Sequence, residues 1–198
     1  MTIKSFSLFW LFHSIKYYLC NHLIAYCPFE KCRHIYYRKI MKIGIGEDSH
    51  VSMGQFITGF YKKPAISIGK NTVINRRCYI DGRIGVTIGD NCNISFGVTF
   101  ISLQHNAQSP SFACTGNPII IENNVWLGAN SIIMPGVTIG NGSVIGAGAV
   151  VTKSIPPFSI AVGVPAKVIK SRNKNINYLT SFHPYADTDI FDESPNFK

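Results

Sequence analysis

A period of six residues governs this chain from Ile121 to Pro156. In blocks the stretch reads IENNVW, LGANSI, IMPGVT, IGNGSV, IGAGAV, VTKSIP, and an aliphatic residue opens each: Ile121, Leu127, Ile133, Ile139, Ile145 and Val151. The fifth place is small or β-branched, as Val125, Ser131, Val137, Ser143, Ala149 and Ile155. This period matches neither a helix of 3.6 residues per turn nor the two-residue alternation of a strand. It fits a coil of three short strands that turns a corner every six residues, with the opening residue of each block pointing inward. Such strands cannot stand alone; stacked coils pair backbone groups up and down a prism and merge the aliphatic residues into one apolar column. Gly and Asn suit the corners because they accept positive φ.

The rhythm begins imperfectly near Ile43, with blocks IGEDSH and VSMGQF opening at Ile45 and Val51 and Ser49 and Gln55 in fifth place. His50 holds a sixth, outward place there and is expected to be solvated. Residues 60–67 (FYKKPAIS) break the phase, which predicts a bulged coil. Regular blocks then open at Ile68, Ile74 and Ile80, and a two-residue slip carries the phase to Ile88, Ile94 and Phe100. Residues 102–118, SLQHNAQSPSFACTGNP, interrupt the array; so long an excursion from a rigid scaffold tends to be functional. After Pro157, FSIAVGVPAKVIK is expected to leave the prism as a strand or loop ending in a short helix. The chain thus divides into an aromatic and basic N-terminal segment (1–42), a repeat domain (43–170) with the inserted loop 102–118, and a polar tail (171–198).

Composition bounds the rest. A chain of 198 residues that is 46% hydrophobic and 15% charged is a packed globular protein. Residues 5–27 are the most apolar stretch, but His13, Lys16, Asn21 and His22 interrupt it, which a membrane-spanning helix rarely tolerates. One or two helices packing on the prism or on a neighbouring subunit are expected. The basic residues that follow (Lys31, Arg33, Arg38, Lys39, Lys42) leave peripheral membrane attachment as an alternative. The net charge of +9 suits phosphorylated ligands or an anionic membrane face; no nucleic-acid motif accompanies it. Cys78 and Cys92 fall in fifth places of the repeat. Cys20, Cys27, Cys32 and Cys114 are expected as reduced, buried thiols; the first three, with His22 and His34, match no standard zinc spacing. With no secretory signal in view, a cytoplasmic location follows, at the inner face of the membrane if the N-terminal segment attaches there.

His105 is the sharpest candidate for chemistry. It opens the long excursion, and its unperturbed pKa of about 6.5 suits a general base near neutral pH. His13, His22, His34, His50 and His183 lack such a setting.

The runs GVTFISLQHN, PIIIENNVWLGANSIIMPGVTIGNGSVIGAGAVVTKSIPP and GVPAKVIK resemble the hexapeptide-repeat acyltransferases, in particular the maltose and galactoside O-acetyltransferases and those of surface-polysaccharide synthesis. The resemblance covers roughly residues 66–170. It implies a left-handed parallel β-helix, a homotrimer with active sites between neighbouring prisms, and acetyl transfer from acetyl-CoA to a sugar hydroxyl, with no metal. His105 matches the family's general base. Trp126, Gly128, Ala129, Ala147, Thr152 and Lys153 match positions along the pantetheine arm or near its phosphates, and Lys167 the position near the nucleotide end. Asn75 and Arg77 fall where an Asn-rich stretch holds the acceptor; here the run is Asn75-Arg76-Arg77, and two arginines point to an anionic acceptor or to a solvated face. Asn106 replaces the Pro or Asp that often follows the histidine.

Three other readings compete with this one. A zinc-dependent carbonic anhydrase needs three coil histidines, and the coil region holds only His50 and His105. An antibiotic or amino-sugar N-acetyltransferase would share the base and the CoA groove, but a histidine soon followed by Phe-Pro is missing. A non-catalytic trimeric scaffold would not need His105, Trp126 and Lys153 together.

Overall fold

In the computed structural model, residues 8–59, 65–180 and 182–188 are described. Three parallel sheets form the faces of a prism, consistent with a left-handed β-helix. The first face stacks Gly44–Ile45, Ile66–Ile68, Val86–Ile88, Ile119–Ile121 and Thr138–Ile139. The second stacks His50–Val51, Val73–Ile74, Asn93–Ile94, Trp126–Leu127, Val144–Ile145 and Ser159–Val162. The third stacks Phe56–Thr58, Tyr79–Asp81, Thr99–Phe100, Ile132–Ile133 and Val150–Val151.

The register follows the block-opening residues. Ile45, Ile68, Ile88, Ile121 and Ile139 pair in succession on the first face. Val51, Ile74, Ile94, Leu127 and Ile145 do so on the second, and Ile57, Ile80, Phe100, Ile133 and Val151 on the third. Apart from Ile45, which is half-buried, these residues are buried, and they form the core column. Each contributes roughly 1.5–3 kcal/mol by leaving water.

The two-residue slip and the excursion 102–118 both fall where the third face turns into the first, so neither disturbs the stacking of Ile68, Ile88 and Ile121. Of the bulge expected over 60–67, residues 60–64 are outside the described residues, and Ile66–Ile68 is regular strand. At another corner an asparagine ladder ties the coils: Asn91 Nδ2 donates to Asn124 Oδ1 at 2.8 Å, and Asn124 Nδ2 to Asn141 Oδ1 at 3.0 Å. Asn91 and Asn124 adopt positive φ, which explains the residue type.

The fifth places are inward and filled to order. Val125, Ser131, Val137, Ser143, Ala149, Cys78 and Cys92 are buried. Burial pushes the thiol of Cys78 up to about 12 and that of Cys92 to about 11, so both are inert filler. The expectation of buried thiols needs correcting at three cysteines. All six are free thiols, but Cys27 is only half-buried, and Cys32 and Cys114 are exposed, on the N-terminal segment and on the excursion.

The N-terminal segment forms helix α1 (Leu8–His22) and helix α2 (Glu30–Ile35), which runs on as a π-helical turn, Tyr36–Met41. Together they cap the first coil. Cys20, Tyr37 and Met41 join the core, and the Asn21 carboxamide pairs with both backbone groups of Ile57, at 2.9 and 3.0 Å, as a missing next strand would. Leu8, Phe9, Trp10, Phe12 and Tyr18 of α1 remain exposed. Among the described residues no helix is long and apolar enough to cross a membrane.

The C-terminal side differs from the expected short helix. Lys167–Ser171 is a strand antiparallel to Ser159–Val162, because the β-branched Val168 and Ile169 favour extended backbone and Gly163 (φ 98°) turns the chain. The tail then lies back along the prism. Arg172 donates to the carbonyls of Asn124 and Gly142 at 3.0 Å, Asn91 Nδ2 donates to the Tyr178 carbonyl at 3.0 Å, and a 3₁₀ turn, Tyr185–Asp187, reaches the first coil. That tail overturns the solvated reading of His50. Its outward place is covered by Glu30, Phe182 and Asp187, and the side chain is fully buried.

Candidate active site

The excursion is a β-hairpin, Leu103–His105 against Cys114–Gly116, with His105 opposite Cys114 as the last pair before the tip. The tip is closed by Asn106, whose N–H donates to the Ala113 carbonyl at 2.8 Å and whose Oδ1 accepts the Gln108 N–H at 2.9 Å. This Asx-turn is what asparagine supplies at that place. His105 is exposed, its ring stacked on Phe112 with centroids 3.8 Å apart. Nδ1 lies 2.8 Å from the Phe112 carbonyl oxygen, with Cys114 Sγ at 3.6 Å. Nδ1 therefore carries the proton, and Nε2 keeps a lone pair able to accept one.

Asp81 sets the base of the hairpin. Its Oδ2 accepts the N–H groups of Ser102 and Leu103, both at 3.1 Å, and Oδ1 accepts Arg83 Nε at 2.8 Å and Thr58 Oγ1 at 3.1 Å. Arg83 Nη2 also reaches the Leu103 carbonyl, at 3.3 Å. Burial alone would raise the Asp81 pKa; the guanidinium and backbone N–H of Arg83, with the Thr58 hydroxyl, outweigh it and hold the carboxyl below the usual range. Asp81 was not singled out from the sequence. The place after a block-opening residue is polar elsewhere too, as at Asn75 and Glu122, so its residue type gave no signal.

A second group gathers at the corner between the second and third faces. Trp126, Gly128, Ala129 and Ala147 line a groove of about 600 Å³ with Phe96 and Asn75. Trp126 is half exposed and donates from Nε1 to Ser95 Oγ at 3.1 Å. A Cβ on Gly128 would stand 2.5 Å from the Ala147 amide nitrogen, so glycine there is required by the approach of two coils, whatever the groove holds. Asn75 and Phe96 also line an adjoining cavity of about 420 Å³ with Ser52, Arg76, Arg77 and Phe182. Arg77 is exposed toward it, whereas Arg76 Nη2 donates to the carbonyl of Asp187. Asn75 Nδ2 bonds the Ile94 carbonyl at 3.0 Å, so mainly its oxygen faces outward.

Thr152, Lys153 and Lys167 line neither cavity. They are exposed at the last coil, brought to the same end because Ala166 N–H donates to the Val150 carbonyl at 2.8 Å. Nor does His105 line the groove: the hairpin and the groove project from different corners of one prism.

The family model "Hexapeptide repeat of succinyl-transferase" matches residues 65–99 and 118–153. The chain is 46% identical over 116 residues to the galactoside O-acetyltransferase of Escherichia coli (strain K12), a match over 54% of this chain and 55% of that protein. It thus spans about half the length of the curated relatives it matches. Among solved structures it is similar to a galactoside acetyltransferase in complex with coenzyme A, with a TM-score of 0.71, 34% identity and 86% of each chain covered. A hexapeptide-repeat acetyltransferase from Vibrio cholerae, complexed with acetyl coenzyme A, aligns with a TM-score of 0.70 and 30% identity, over 82% of this chain and 86% of that one.

Proposed function

We propose that this chain, which belongs to the hexapeptide-repeat acetyltransferase family, moves an acetyl group from acetyl-CoA to a sugar hydroxyl of a cell-surface polysaccharide or its precursor. The observation that carries the reading is the exposed His105 imidazole, whose Nδ1 is held by the Phe112 carbonyl so that Nε2 is left for the acceptor. Nε2 takes the proton of the acceptor hydroxyl as that oxygen attacks the thioester carbonyl carbon. The tetrahedral oxyanion is stabilised by backbone N–H donors. Its collapse breaks the C–S bond, the imidazolium returns the proton to the leaving sulfur, and an acetyl ester and CoA thiol result. Base catalysis of this kind contributes about 10²- to 10⁴-fold.

Acetyl-CoA is the donor substrate. The Trp126–Ala147 groove would take its slender pantetheine arm, and Lys153 and Lys167 its phosphates. Because base and groove stand at different corners of one prism, the reading requires a homotrimer in which one copy's hairpin meets its neighbour's groove. The half-exposed Trp126 and exposed Phe96 support this by leaving apolar surface at the groove. Asn75 and Arg77 hold the acceptor, and the charge of Arg77 favours a sugar that carries phosphate. A cytoplasmic location, with peripheral membrane contact through the exposed aromatic side chains of α1, belongs to the same reading.

The test is transfer from acetyl-CoA to neutral, phosphate-bearing and amino sugars, followed by mass spectrometry and mild alkali. An alkali-labile acetyl on a phosphate-bearing sugar is predicted. An alkali-stable acetyl on an amino sugar would move the activity to N-acetylation.

A further inference from the structure

We propose that Glu30, His50 and His183 form a divalent-metal site, for zinc by its donor chemistry, that fastens α2 and the C-terminal tail to the first coil. The three donor atoms lie within 4.8 Å of one another, and no ion is present. Glu30 Oε2 is 3.2 Å from His50 Nδ1 and 3.8 Å from His183 Nδ1. Bonds of about 2.0–2.1 Å to a tetrahedral zinc set neighbouring ligand atoms roughly 3.3 Å apart, so the Glu30–His50 edge already fits and the half-exposed His183 would draw in to complete the set.

Burial supplies an independent pointer. His50 is fully buried and its Nδ1 makes no hydrogen bond, although Glu30 stands beside it. Nδ1 and the Glu30 carboxylate face each other at 3.2 Å, an ion pair when a proton lies between them, and a metal cation there would take that proton's place. The other ring nitrogen is supported as a ligating histidine requires: Nε2 lies 3.0 Å from Ser52 Oγ and 3.4 Å from Asp187 Oδ1. Asp187 is in turn gripped by the buried Arg33 at 3.4 Å and by the Met53 N–H. His34 does not take the place of the cation, because its Nε2 accepts the Val51 N–H at 3.3 Å and has no proton for Glu30.

A cavity of about 390 Å³ lined by Glu30, Lys31, His34, Arg38, Asp48 and His183 adjoins the set and gives room for a water in the fourth position. Two imidazoles and one carboxylate suit zinc and are poor ligands for magnesium or calcium. The ligands come from a helix, a coil strand and the tail, at the opposite end of the prism from Lys153. The site is therefore a structural clamp, and sequence spacing could not reveal it.

The test uses the full chain, stripped with chelator and titrated with zinc by calorimetry and metal analysis, then with cobalt(II) by visible absorption. His183→Ala is the main variant, since His183 is half exposed and its removal should leave the fold intact. Glu30→Gln is the second. The wild type should bind one zinc per chain and gain about 5 °C or more in Tm at saturating zinc. Each variant should weaken binding by more than about tenfold and lose that gain. The cobalt spectrum should show a four-coordinate nitrogen and oxygen set without thiolate charge transfer. No zinc uptake by the wild type, equal uptake by His183→Ala, or a thiolate band from Cys27 or Cys32 would each overturn the assignment.

Discussion

Nδ1 of His105 is tied across the hairpin to the carbonyl oxygen of Phe112, 2.8 Å away, while the Phe112 ring lies flat on the imidazole. One residue thus fixes both the tautomer and the plane of the proposed base. Phe112→Ala keeps the carbonyl but removes the stacking surface. Turnover should fall about tenfold with the KM for acetyl-CoA unchanged, as steady-state kinetics would record. A rise in KM alone would place Phe112 in donor binding instead.

Asp81 offers a second prediction, because it holds the backbone where the hairpin leaves the prism. Asp81→Asn breaks its ion pair with Arg83, a pair buried on one side and partly exposed on the other. A cost of about 1–3 kcal/mol is expected after allowing for solvent around Arg83, read as a fall in Tm of several degrees. Turnover should drop as well, since His105 is only two residues beyond Leu103.

The sign of the pH effect follows from the lowered pKa of Asp81. A carboxyl depressed on folding contributes stability that is fully present above its unfolded value of about 4 and is lost as pH falls through the lower folded value. Melting temperature measured from pH 6 down to pH 2 should therefore fall less steeply for Asp81→Asn than for the wild type over that acid window. Parallel curves would show that Asp81 does not contribute.

Gly128 separates scaffold from ligand. A methyl group there meets the Ala147 amide nitrogen at 2.5 Å, so Gly128→Ala should force two coils apart even without CoA. Overpacking of this kind costs about 1–3 kcal/mol, and the Tm of the unliganded protein should fall accordingly. An unchanged Tm with weakened CoA binding would mean that the glycine serves the ligand alone.

The inward column was legible because its cause is local and repeated: every sixth place needs an aliphatic side chain, so Ile68, Ile94 or Ile133 could be placed without knowing the rest. The hairpin's position was legible as a break in phase, and His105 as its opening histidine. His50 was misread because outward places are solvated only if nothing covers them, and its cover comes from Phe182 and Asp187 in a tail with no periodic signal. Asp81 was missed for the same reason: its partners, Ser102 and Leu103, are one coil further on. The short helix expected near Lys167 gave way to a strand because pairing with Ser159–Val162 was available. Side chains at Thr152, Lys153 and Lys167 were placed on the last coil, but in one chain nothing joins them to the Trp126 groove.

Lys153 and Lys167 are exposed cations at that coil. Replacing both by Ala should weaken CoA binding about three- to tenfold at low salt and much less at high salt, since exposed charges are screened. Calorimetric titration at two ionic strengths checks this; a salt-independent loss would point to packing.

If His105 is the base of an acetyl transfer from acetyl-CoA, removing its imidazole should cost turnover and spare donor binding. Wild type and His105→Ala would be assayed with acetyl-CoA and an accepted sugar, with CoA affinity measured on both. The account predicts that kcat falls about 10²- to 10⁴-fold while CoA binds equally well. Equal turnover by the two proteins would contradict it.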